Sequence, residues 1–369
     1  MRRLICLLLV AGCGGERTDA TPTLMERGRA YVASMSAGRQ ALEASIVDPT
    51  NGYSARRLER YREDVWGALD EWRPRVRTPG ATTWDDDTWD AALDEASLLA
   101  LGERAFFAYP VQLADALGKA DVEDYGVWPG SYVEVDLGDG VFPAFTCATC
   151  HARPDAAGVP NHRLDLGRLY DDFYGTQTEQ SAWGLGALDV TADGVDNPTA
   201  IPDLRPIQHQ THLHRAATLK NDPVALAVRL ETLLLTSVSE ARRPPRVVAF
   251  ALALYLWRMA DTLPVWTSNA TFDAQCATCH GTDGRPNAPR PIEEIGTPDA
   301  VARSPARTTG TWRVPSLLGV GQRERLLSMG RVEGLEELLD PERSVPGHRF
   351  GLELSPAERD ALITFLRER

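Results

Sequence analysis

The word Cys-Ala-Thr-Cys-His occurs twice in this chain, at Cys147–His151 and again at Cys276–His280. Six cysteines and seven histidines spread over 369 residues make two such words by accident very improbable, so the repetition asks for a chemical cause. Two thiols separated by two residues can add to the two vinyl groups of one porphyrin, and the adjacent imidazole then reaches the iron from one face. Each word therefore predicts one covalent haem c. Cys147, Cys150, Cys276 and Cys279 are the expected attachment points, and His151 and His280 the proximal iron ligands. Structural zinc is the rival, but paired Cys-x-x-Cys motifs in zinc sites usually lie about 15 to 20 residues apart. Here 129 residues separate Cys147 from Cys276.

The chain opens with MRRLICLLLVAGCGG, a basic pair followed by a short apolar run and small residues, which is the pattern of an export signal. Val10-Ala11-Gly12-Cys13 resembles a bacterial lipobox. On that reading residues 1–12 are removed and Cys13 is lipidated, holding the protein on the periplasmic side at the outer membrane. An ordinary signal peptide cleaved nearby is the alternative. Cysteine use then closes without a disulfide: Cys6 leaves with the leader, Cys13 takes lipid and the other four take haem.

A net charge of −13, more negative still once Arg2 and Arg3 leave with the leader, disfavours nucleic-acid partners. It suits a basic redox partner approaching a haem edge, although solubility explains it equally well. After the leader no segment reaches the roughly 20 apolar residues needed to cross a bilayer. The nearest, Val247–Trp257, stands between Pro244-Pro245 and Arg258 and reads as a buried core helix.

A polar tether to about Ala20 precedes amphipathic helical spacing from about Thr23 to Trp72. A further helix opens on the acidic stretch WDDDTWD and ends near Tyr109, because Pro110 disfavours its continuation. The Gly-, Pro- and Asp-rich stretch 120–145 reads as a loop or short hairpin leading to the first haem word. Near the end, Ser355, Pro356 and Glu358 form a capping box for a terminal helix with Leu362, Ile363 and Leu366 on one face. A weak internal repeat also shows: IPDLRPIQHQTHLH (201–214) after the first word matches VPSLLGVGQRERLL (314–327) after the second.

From about residue 97 onward the chain resembles the bacterial di-haem cytochrome c peroxidase and MauG-type superfamily. LGERAFFAYPVQ resembles the family's lead-in to its first haem, WGLGALDVTADGVDNPTAIPDL its inter-haem segment, and RVPSLLGV, MGRVEGLEELL and GLELSPAERDALITFLR its closing part. One departure stands out. The family commonly carries Phe-Trp-Asp-Gly or His-Asp-Gly after each haem, where this chain has THLHRAATL and LLSMGRVEG. Polar groups that assist peroxide cleavage in the peroxidase members sit around the first of these phrases.

The opposite faces of the irons decide between reaction and conduction. For the second, the resemblance points to His348 in VPGHRFGLELS, with Met329 as rival. For the first, His209, His212 and His214 share one phrase, in which His212 and His214 lie on one side if it is extended; His162 is a further candidate. His212 and His214 are also the candidate acid–base residues. Trp183 occupies the place of the family's inter-haem tryptophan, and Asp189, Asp193, Asp196 and Asn197 resemble its calcium-binding turn, without EF-hand spacing.

The expectation is a mainly α protein: leader 1–12, tether and N-terminal helical segment 13–95, and two cytochrome c-like haem domains at 96–262 and 263–369. Two functions remain open. One is a peroxidase-like oxidoreductase that reduces hydrogen peroxide or activates oxygen. The other is an electron carrier with two six-coordinate haems. Either would exchange electrons with a small cytochrome or cupredoxin.

Overall fold

The computed structural model of the protein describes residues 21–77, 84, 94–113, 121–174, 180–189, 196–233, 242–298 and 300–369. Residues 1–20, which include Cys6, Cys13 and the expected leader, the acidic stretch 85–93 and Asp193 lie outside the described residues.

Helix is the main regular structure, accompanied by one four-stranded sheet and several two-stranded pairings. Helix α1 (Leu24–Ala33) begins at a capping box between Thr23 and Glu26. It is followed by α2 (Met35–Ser45) and by α3 (Gly52–Arg60), where the Asn51 side chain accepts from the Ser54 N–H at 2.8 Å. Helical spacing in the sequence continues to Trp72, yet the helix stops at Arg60 and the chain turns. The cause is tertiary: Tyr61 and Trp66 both point inward to one fully buried carboxylate, Glu231. The Tyr61 hydroxyl and the Trp66 indole N–H donate to it at 2.8 Å each, and the Tyr31 hydroxyl donates as well. Burial still raises the Glu231 pKa against the lowering effect of these three donors.

Beyond this turn the N-terminal segment is interleaved with later parts of the chain. Asp70–Glu71 pairs in parallel with Arg242–Arg243, and Arg75–Val76 is an edge strand beside Tyr132–Asp136. The sheet continues antiparallel through Val141–Phe145 to Gln112–Leu113. The stretch read as a loop or hairpin is thus a hairpin within a larger sheet, and it delivers the chain directly to the first haem word.

Helix α4 (Glu95–Ala108) is capped by Asp94 and gives way to extended backbone at Tyr109, as Pro110 requires. The first word is itself a helical turn, α5 (Cys147–His151), followed by α6 (Leu166–Tyr174), α7 (Pro223–Glu231) and α8 (Arg246–Arg258). Helix α8 is the expected core helix: Val247 to Leu254 and Leu256 are all buried. It crosses α4 where Gly102 meets Ala251; a Cβ on Gly102 would fall 2.1 Å from the Ala251 carbonyl oxygen.

The second word follows α9 (Ala270–Gln275) and lies in α10 (Ala277–His280). Short helices α11 (Ile292–Ile295) and α12 (Ala300–Arg303), then α13 (Gly334–Leu338), lead to the terminal α14 (Pro356–Arg367). The Ser355–Glu358 capping box is formed, with Pro356 in the first turn. Leu362, Ile363 and Leu366 pack with Phe272, Val320 and Leu335 in a separate core, against which half-buried Cys276 rests. No described helix is long and apolar enough to cross a membrane.

Candidate haem sites

The two haem words sit in the same hydrogen-bond frame. The Nδ1 of His151 lies 3.1 Å from the Pro202 carbonyl oxygen, and the Nδ1 of His280 lies 3.0 Å from that of Pro315. A carbonyl can only accept, so each imidazole carries its proton on Nδ1 and presents an unprotonated Nε2. That is the arrangement a metal-binding histidine needs. Burial pushes the pKa of His151 down to about 4. Burial, then the neighbouring His348, pushes His280 down to about 3. Both rings are therefore neutral near pH 7, with no proton to displace on binding a metal.

An asparagine clamps each word from behind. The Asn161 N–H donates to the Cys150 carbonyl at 2.9 Å, and its side-chain amide donates to the Thr149 carbonyl at 3.1 Å and to that of Gly126 at 2.9 Å. The Asn287 N–H donates to the Cys279 carbonyl at 2.8 Å, and its amide to the Thr278 carbonyl at 2.9 Å. Three residues before each asparagine stands a glycine with positive φ, Gly158 at 80° and Gly284 at 71°. The carbonyl of each accepts from the second residue after the histidine-binding proline, Leu204 and Leu317, at 2.9 Å in both cases. The frame then repeats down the chain. Hairpin His212–Leu213/Leu219–Lys220 answers hairpin Arg325–Leu326/Val332–Glu333. His214 and Leu327 take matching left-handed conformations at φ 61° and 63°. Residues 201–214 and 314–327 correspond without a gap.

The four thiols of the words are free, and burial raises Cys147 and Cys150 to about 12 each and Cys276 to about 11. They do not meet in a four-sulfur site: no group of three or more His, Cys, Asp or Glu among the described residues is arranged to hold a metal ion. The donor set present is one histidine beside a pair of thiols, which fits a haem whose porphyrin supplies four ligands of its own.

Beside His280 stands His348, its ring centroid 6.3 Å away and tilted by 50°. An imidazole nitrogen binds a metal at about 2 Å with the ring centre roughly 1 Å farther out, so two histidines sharing one ion place their centres roughly 6 to 6.5 Å apart. The observed separation fits. His348 also has a buried Nδ1 with no hydrogen-bond partner, and burial, then Arg343, pushes its pKa down to about 4. Its loop is wound left-handed, with φ 104° at Gly347 and 45° at His348, and Arg343 donates to the carbonyls of both. Met329 lies half-buried in the turn from Leu327 to Gly330.

All seven histidines are among the described residues, and none makes the corresponding ring contact with His151. The histidine-rich phrase expected to form its pocket is engaged otherwise. Arg229 donates through Nε to His214 Nε2, and the Tyr53 hydroxyl lies 3.3 Å from the same atom. An arginine N–H only donates, so Nε2 is already an acceptor there, and Nδ1–H is left to bond the Thr218 hydroxyl. Burial, then Arg229, Arg307, Arg57 and Arg313, hold the His214 pKa well below its ordinary value. His212 bonds the Thr211 hydroxyl through Nδ1 at 3.1 Å while its backbone pairs with Lys220. His209 closes a short 3-10 turn (Arg205–His209) and stays half-buried. His162 is 6 % exposed and neither ring nitrogen has a partner.

Trp183 donates to Asp196 at 2.7 Å and meets Tyr170 edge-on, with centroids 6.2 Å apart. The Asp189 carboxylate accepts from the Asn197 N–H at 2.9 Å.

Pro202, Pro315, Asn161 and Asn287 were not singled out by sequence pattern. The signal was present as Gly-x-Pro-Asn at 158–161 and at 284–287, once after each word. Residues 268–369 match the cytochrome c family, so this part of the chain is a cytochrome c domain, a haem-binding electron-transfer module. No curated protein and no solved structure matches the chain.

Proposed function

We propose that the protein is a di-haem c-type cytochrome of the cytochrome c peroxidase-like kind, exported and held at the periplasmic face of a membrane through a lipidated Cys13. Residues 96–262 repeat the haem-binding unit of residues 263–369, and calcium has no part in this reading. A covalently bound haem supplies a one-electron redox centre and, where its sixth position is open, a place for peroxide or dioxygen. The observation that carries the reading is an asymmetry: the ring of His348 meets that of His280, while among the described residues no histidine ring is in contact with that of His151. The second site is then closed and stores an electron, while the first is the reactive one.

The chain's own contribution is positional. Pro202 and Pro315 fix which imidazole nitrogen faces the metal, and Asn161 and Asn287 hold the carbonyls of each word. His214, locked between Arg229 and Thr218, is read as part of the frame and not as an iron ligand or acid–base group. Electrons come from a small cytochrome or cupredoxin with a basic face, matched to the acidic charge of this chain.

A second reading, a pure electron carrier, draws on His162, whose buried ring has no partner and would close the first site if it reached the iron. Expression with a haem-attachment system, a haem count and spectra of the oxidised and half-reduced protein separate the two. Two haems, one of them high-spin and shifting on addition of peroxide, are expected. Two low-spin irons indifferent to peroxide would establish the carrier, and a colourless protein would end both readings.

A further inference from the structure

The loops that hold the two proximal histidines meet through a buried ion pair. Asp203 follows Pro202, the residue whose carbonyl accepts from His151. Its carboxylate lies 3.4 Å from the Arg323 guanidinium, with side-chain exposures of 2 % and 13 %. Arg323 in turn donates to the Ser316 carbonyl at 3.0 Å and to the Leu318 carbonyl at 2.8 Å, and Ser316 follows Pro315, the residue whose carbonyl accepts from His280. The His151 imidazole is thus one hydrogen bond and one peptide unit from Asp203, and the His280 imidazole is joined to Arg323 by two hydrogen bonds, through the Pro315 and Ser316 carbonyls. Arg205 completes the group. It bonds both Asp203 oxygens, at 3.1 and 2.7 Å, and reaches the Gln322 side chain and the Gly319 carbonyl on the far side.

Two features distinguish this pair from an ordinary surface ion pair. It is withdrawn from water, so its field is little screened. It is also oriented, because the internal repeat puts a carboxylate at position 203 and an uncharged serine at the matching position 316. The carboxylate therefore stands on the His151 side, and Arg323 is anchored to backbone on the His280 side. A negative charge beside an iron site favours its oxidised form and a positive charge its reduced form; neighbouring charge and hydrogen bonding around the ligands are among the levers that set haem potentials.

We propose that the Asp203–Arg323 pair ties the two proximal loops together and sets the sites apart electrically, lowering the reduction potential at the His151 site and raising it at the His280 site. Asp203 and Arg323 are positioning residues here, acting through Pro202 and Ser316 and touching neither iron. The inference rests on the di-haem reading above.

Arg323→Gln is the variant of choice, since Asp203 keeps Arg205 as its partner and the fold is spared an unpaired carboxylate. Haem content is counted first, by pyridine haemochrome and intact mass; one haem per chain would defeat the di-haem reading whatever the potentials do. With two haems bound, optical redox titration should show the His280-site potential falling by at least a tenfold change in its reduction equilibrium, about 59 mV for one electron. The His151 site should fall less, so the gap between the sites narrows. Asp203→Asn should narrow the same gap from the other side, by raising the His151 site most. Arg323→Lys, which keeps the charge, should retain the wild-type gap. Two haems with an unmoved gap in Arg323→Gln, or an Arg323→Lys protein behaving like Arg323→Gln, would overturn the inference and leave the di-haem reading standing.

Discussion

The ring of His348 faces that of His280 at 6.3 Å between centroids, and the backbone of His348 is left-handed to bring it there. Such a conformation costs a non-glycine residue about 1 kcal/mol or more, so the surroundings have to enforce it. Arg343 supplies the enforcement by donating to two consecutive carbonyls of the loop.

If His348 is the sixth ligand, His348→Ala should convert the second site from low-spin to high-spin while leaving its haem covalently attached. Electron paramagnetic resonance reads this directly. His348→Met should keep a low-spin iron and raise its potential, because a thioether stabilises the reduced metal.

Acid should destabilise the protein across the pH range in which its buried histidines would take up protons on unfolding. The folded-state pKa values of His280 and His348, about 3 and about 4, lie below the ordinary 6.5. Between about pH 6.5 and 4 the unfolded chain binds more protons than the folded one, so stability is present above the unfolded pKa and falls with pH through this window. The expected loss is on the order of 2 kcal/mol per histidine, and more if metal must be released. Glu231 acts oppositely: its raised folded pKa means that its contribution declines as pH rises past its unfolded value. Thermal melts from pH 4 to 7 should therefore show a rising melting temperature, and a flat profile would contradict the histidine assignment.

Glu231→Ala should leave the donors of Tyr31, Tyr61 and Trp66 buried and unpaired. At about 1 to 3 kcal/mol for each orphaned group, the loss should reach at least about 3 kcal/mol in a urea titration. Glu231→Gln keeps one acceptor oxygen and should lose clearly less.

Gly102→Ala should separate α4 from α8, since the new methyl group would occupy the space of the Ala251 carbonyl. Overpacking of this kind costs about 1 to 3 kcal/mol. A lower melting temperature with unchanged haem content is the expected signature.

Local features were far more legible in the sequence than the contacts that surround them. Two Cys-x-x-Cys-His words, a capping box at Ser355 and an apolar run flanked by Pro245 and Arg258 act through neighbours in the chain, and local pattern exposes such features. The end of α3 was not legible, because Tyr61 and Trp66 obey a carboxylate some 170 residues away. The three histidines of 209–214 misled for a related reason. Spacing puts His212 and His214 on one side of an extended strand, but His214 is left-handed and His214 Nε2 accepts from Arg229, a residue of another element. Gly-x-Pro-Asn was legible in principle, but its function appears only when the asparagine is seen to hold the carbonyls of the haem word.

The two copies of the haem word differ in one further respect. Seven residues run from His151 to Gly158, but four from His280 to Gly284, and the surplus forms the small hairpin Ala152–Arg153/Ala156–Ala157. Arg153, beside its turn, reaches across to Glu324 at 3.2 Å. The three-residue insertion thus adds a part-exposed ion pair to the contacts that Asp203, Arg205 and Arg215 already make with residues 322–328, so the two repeats are stapled at the rim as well as at the core of their junction.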